Sequence, residues 1–138
     1  MFTTIHPLAI LLAGLASMPI GMLWYGVLFG KQWSKLMGFT TQSMAKNKEN
    51  MTRTYAAQLL AALVQAFVLS LIIYSSRVSE VGQIVLLGFW LWLGFTATST
   101  LTKQLFDTRT FTLKLYLIDA LHQLVVLVTM ALILSAFL

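Results

Sequence analysis

The chain has 138 residues, a net charge of +5 and no cysteine, yet only 9% of it is charged and 59% is hydrophobic. Soluble domains carry about 25% charged residues and under half apolar ones, so a water-soluble globule is excluded. Disorder is excluded too, because it needs low hydrophobicity and high charge.

The mean hydropathy of +0.85 points to an integral membrane protein built as one domain, residues 1–138. Four segments have the length and character of membrane spans: Leu8–Phe29, Tyr55–Tyr74, Val81–Leu101 and Leu115–Leu138. Together they hold a single charged residue, Asp119. A helix needs about 20 mainly apolar residues to cross a hydrocarbon core of about 30 Å. None of the four alternates with period two as a barrel strand does, and in lipid the remaining way to satisfy the backbone is helix. The expected fold is all-α, an integral membrane four-transmembrane-helix up-down bundle. The first span does not read as a cleaved signal peptide: Met1–Pro7 lacks Lys and Arg, and apolar sequence continues past Pro19.

Orientation follows from the basic residues. The 30–54 loop carries Lys31, Lys35, Lys46, Lys48 and Arg53, and the 102–114 loop carries Lys103, Arg109 and Lys114. Opposite them stands only Arg77, in the short turn that makes spans two and three a hairpin. Basic loops stay cytoplasmic, so a multi-pass protein of the inner (plasma) membrane is expected, with both termini outside. The loops suit the bilayer and its anionic lipid headgroups; no nucleic-acid partner is indicated. No internal repeat stands out.

Span one ends in Gly21-Met22-Leu23-Trp24-Tyr25-Gly26-Val27-Leu28-Phe29-Gly30-Lys31-Gln32-Trp33. Trp24, Tyr25 and Trp33 are the residue types that form an interfacial belt, with Gly30 expected to end the helix. Small residues recur every four positions at Ala9, Ala13, Ser17 and Gly21, and Gly26 and Gly30 continue the spacing with an offset. Such stripes let helices approach closely in lipid, so this one is expected to pack helices, with a homo-oligomer favoured. Pro19 should bend the span.

The pattern G-x-x-W-Y-x-x-x-F-G-x-x-W, followed by three more spans, resembles the bacterial domain-of-unknown-function family 1761. Tyr116, His122 and the apolar Leu124–Leu134 are compatible with that family's closing span. The resemblance implies a four-span membrane fold in a bacterial inner membrane and brings no catalytic residues with it.

The polar residues within the spans are the candidate site. Asp119, His122 and Gln123 lie at i, i+3 and i+4, hence on one face of span four. Gln58 and Gln65 share a face of span two, and Ser99 lies in a Thr-rich stretch of span three. With a rise of about 1.5 Å per residue, Asp119 sits roughly 7 Å beyond Lys114 and Gln58 about 7 Å beyond Arg53. A carboxylate at a helix centre costs about 2.5–3.5 kcal/mol, so Asp119 is expected to pair with His122, with Gln58 as a partner across helices. Asp119 and His122 are too few for a metal site. Ser99, His122 and Asp119 match a nucleophile–base–orienter set by type alone. No nucleotide-binding loop is present, and no cofactor is implied.

These residues suggest an oligomeric transport or channel-like protein with a ligand or ion pathway through Asp119, His122, Gln123, Gln58, Gln65 and Ser99. A scaffold or accessory subunit without flux is the alternative, and a membrane-embedded enzyme the second.

Overall fold

A computed structural model describes residues 5–39, 51–107 and 111–138. Lys46, Lys48 and Arg109 of the basic loops lie outside the described residues. Among the described residues there are helices and no strands. Four helices are long and apolar enough to cross a membrane: Pro7–Leu28, Met51–Ser76, Val81–Leu105 and Leu113–Ser135, spans one to four. Spans two and three reach further towards the basic end than hydropathy alone suggests, because Arg53 and Lys103 are carried on the helices themselves.

Two of the spans are not uniformly α-helical. Span one is α-helical over Pro7–Met22 and then widens into a π-helical segment, Leu23–Leu28. The widening is visible in the Phe29 N–H, which donates to the Trp24 carbonyl five residues back, at 2.9 Å. Span three does the same, running α over Val81–Leu91, π over Trp92–Ala97 and α again over Thr98–Leu105. Each π segment turns the residues after it to a new face, and such segments are frequent at functional sites.

Gly30 does not end a helix but begins one. At Phe29 the backbone leaves the helical region (φ −125°, ψ 9°), and the chain restarts as the short helix Gly30–Met37. The bend brings backbone against backbone, so that a Cβ on Gly30 would lie 2.8 Å from the Tyr25 carbonyl oxygen. Only glycine fits there. Gly38, at φ 72°, closes the short helix in the left-handed conformation that glycine adopts without strain.

Span four is the centre of the packing and lies against spans one and three, while span one also packs along span two. The small stripe of span one is used inside the chain. Ala9, Ala13, Gly14 and Ser17 are buried, and Gly14 lies so close to span two that a Cβ there would come within 2.6 Å of Leu63 Cδ2. Gly26 packs against nothing: a Cβ there would meet no atom within 4 Å. The helix runs through Pro19, and the Ser17 hydroxyl donates to the Gly14 carbonyl at 2.7 Å. The apolar core joins Ala9 and Ala13 to Ala66, Ile73, Ile84 and Met130. All lie in the half of the bundle away from the basic loops.

Two short residue patterns recur along the chain. Trp24-x-Gly26 and Trp92-x-Gly94 occupy the two π segments. In the helices that follow, Tyr55-x-x-Gln58-x-Leu60-x-x-Leu63-Val64 matches Tyr116-x-x-Asp119-x-Leu121-x-x-Leu124-Val125.

Candidate functional site

Hydrogen bonds from two spans converge on three consecutive residues of span four. The Trp24 indole N–H donates to the Ile118 carbonyl at 2.9 Å, and the Trp92 indole N–H donates to the Ala120 carbonyl at 2.7 Å. Between them, the Asp119 carboxylate accepts from the Tyr25 hydroxyl at 2.7 Å and from the Gln104 amide at 2.8 Å, one donor on each oxygen. One turn towards the basic end, the Tyr116 hydroxyl donates to the Ala97 carbonyl at 3.0 Å.

The π segments explain how neighbouring side chains reach one helix. On an ideal α-helix Trp24 and Tyr25 point about 100° apart. The wider turn of Leu23–Leu28 lets both face span four. Their polar tips therefore bond to span four. Trp33 packs at a tilt against the Tyr25 ring, with centroids 4.9 Å apart, and extends the aromatic group to the short helix.

Asp119 is not paired with His122 as expected. The His122 ring, only 7% exposed, sits beside the rings of Tyr25 (centroids 4.8 Å) and Trp24 (6.1 Å). It lies beside Gly21, where a Cβ would make ordinary contact with Nε2 at 3.7 Å. Neither of its ring nitrogens has a hydrogen-bond partner, and neither does the Gln104 Oε1. An i, i+3 spacing makes contact possible but does not aim the side chains. The Tyr25 and Gln104 donors reach the carboxylate instead.

The other expected members are dispersed. Gln58 and Gln65 are exposed on the outside of span two, so the structure does not bring Gln58 to Asp119. Ser99 is exposed and bonds back to the Phe95 carbonyl of its own helix, away from His122. Gln123 is half-buried. Gln104 lies beyond Leu101, where hydropathy ends span three, so hydropathy does not point to it as a partner of Asp119. The signal available was the helical spacing Thr100–Gln104 carried past Lys103.

Four helices apolar enough to cross a membrane, three of them joined by half-buried hydrogen bonds, define a multi-pass membrane protein. A family model described as Protein of unknown function (DUF1761) matches residues 8–135, and the chain belongs to that family. No curated protein and no solved structure matches it. The motif in span one now has a physical meaning: Gly21 lies against His122, Trp24 and Tyr25 grip span four, and Phe29 packs on Trp24 (4.9 Å). Gly30 permits the sharp bend that carries Trp33 back to Tyr25.

Proposed function

We propose that the protein is a scaffold or accessory subunit of an inner membrane, with no flux of its own, and that the cluster around Asp119 locks its helices in register. The observation that carries this reading is the satisfied carboxylate: both Asp119 oxygens are held by side chains of other spans. Support also comes from the apolar core that fills the bundle beyond His122, whereas a route past Gln65 would run along the outer surface of span two. A half-buried polar group bonded on both oxygens serves helix register more readily than it serves passage.

A transport reading is favoured by one observation, the two unpartnered nitrogens of His122 one turn deeper than Asp119. Intramembrane ionisable groups are candidates for proton relays. Vesicles containing the purified protein and a trapped pH-sensitive dye distinguish the two readings. Under an applied potential, proton entry should be no faster than into protein-free vesicles. Entry that is faster and disappears in His122→Ala or Asp119→Asn replaces the scaffold by a transporter.

The proposal includes an orientation. Lys31, Lys35, Arg53, Lys103 and Lys114 are exposed at one end of the bundle, which supports a cytoplasmic position for that end, against anionic headgroups, with both termini outside. A periplasmic reporter fused after Leu138 should be active and a cytoplasmic reporter silent. The reverse pattern overturns the orientation.

A further inference from the structure

Span two is sparsely covered within the bundle. Only Ala62, Ala66, Leu69 and Ile73 are buried, all on the face towards span one. About 90° round the helix lies a second stripe, Gln58, Ala61, Gln65 and Val68, and every member is exposed. Its spacing alternates three and four residues, the period of a seam between two helices that cross at a shallow angle.

Two of those residues do not belong in lipid. Gln65 is twelve residues from Arg53 and twelve from Arg77, hence about 18 Å from each charge. That is the middle of a hydrocarbon core of about 30 Å. Among the described residues neither Gln58 nor Gln65 has a hydrogen-bond partner. An amide with two donors and an acceptor left in hydrocarbon costs several kcal/mol, so the stripe asks for a polar partner at the same depth. The contrast with span four supports the same view. There the polar residue Asp119 and its neighbours are met by Trp24, Tyr25 and Trp92. In span two the face that carries Gln58 and Gln65 is bare.

We propose that this stripe is the contact surface for span two of a second copy of the chain, in a parallel two-fold dimer. A two-fold axis along the membrane normal brings each residue opposite its own counterpart at equal depth. The glutamine amide is self-complementary, since each can donate to and accept from its twin. Ala61 between the two glutamines lets the backbones approach closely enough for those bonds. This interface lies apart from the Asp119 cluster and holds whether that cluster is a lock or a relay.

The chain's lack of cysteine makes the test direct. Single-cysteine variants Ala61→Cys and Val68→Cys, oxidised with copper phenanthroline in native membranes, should give a covalent homodimer. Copies bearing tags of two sizes identify the partner as the same chain. Leu60→Cys, 65% exposed on another side of the same helix, should give little product. Adding Gln65→Leu to Val68→Cys should weaken dimerisation by about three- to thirtyfold, the range measured for interhelical hydrogen bonds in membranes. The positional pattern in the single-cysteine variants keeps both glutamines, so it decides the matter even if Gln65→Leu fails to fold. Equal products from Leu60→Cys and Val68→Cys, no product at either seam position, or an adduct with a different protein each overturns the proposal.

Discussion

Gly14→Leu should destabilise the bundle by about 1–3 kcal/mol, the usual cost of forcing bulk into a packed interior. A Cβ at Gly14 already lies 2.6 Å from Leu63 Cδ2, 3.2 Å from Cγ and 3.4 Å from the Leu63 Cα. The Leu63 side chain can turn aside for a methyl group, so Gly14→Ala should be mild. It cannot clear space for a larger side chain, because the backbone of span two stands behind it. Gly26→Leu is the control: no atom lies within 4 Å, and its effect should stay within about 0.5 kcal/mol. Denaturation in mixed micelles measures all three. Equal losses for Gly14→Leu and Gly26→Leu show that spans one and two are not in contact at Gly14.

Asp119→Ala should cost a similar amount, about 2 kcal/mol, by a different route. It leaves the Tyr25 hydroxyl and the Gln104 amide without their acceptor. Hydrogen bonds to charged groups contribute about 1.5–3 kcal/mol each in water-soluble proteins, but those between membrane helices average about 0.6 and reach about 1.7. A double-mutant cycle of Tyr25→Phe and Asp119→Ala isolates the pair, and the coupling should fall within that membrane range. Asp119→Asn, which keeps an acceptor oxygen, should lose less than Asp119→Ala. A coupling energy indistinguishable from zero removes the Tyr25–Asp119 bond as a source of stability.

The spans were legible in the sequence because hydropathy over 20 residues depends on composition and tolerates any detail of local geometry. The residue at the centre was legible for a related reason: Asp119 is the only charge inside the four segments. Its partners were not. Trp24 and Tyr25 were assigned to the interface by residue type, and a π turn aims them at span four. A π turn is one residue out of register with an α-helix and leaves no reliable mark in the sequence. Gln104 was hidden by the neighbouring Lys103, which reads as the end of a span although the helix continues to Leu105. The small stripe was recognised, but it packs within the chain at Ala13 and Ser17. Its periodicity says that something approaches closely and is silent on which helix does.

The convergence of bonds on Ile118, Asp119 and Ala120 bears on how the protein is made. Ribosomes deliver the chain from its N-terminus, so Trp24, Tyr25, Trp92 and Gln104 leave the translocon before the acceptors they bond to. Until span four follows, four donors wait in or near hydrocarbon with no partner from that helix. A nascent chain halted after span three is therefore a polar, loosely held assembly, the kind that membrane proteases and chaperones recognise. Arrival of the last helix closes all four bonds together. Quality control of this small protein is thus vested in its final span, and a substitution at Asp119 should shorten its lifetime in the cell even where the mature bundle would tolerate it.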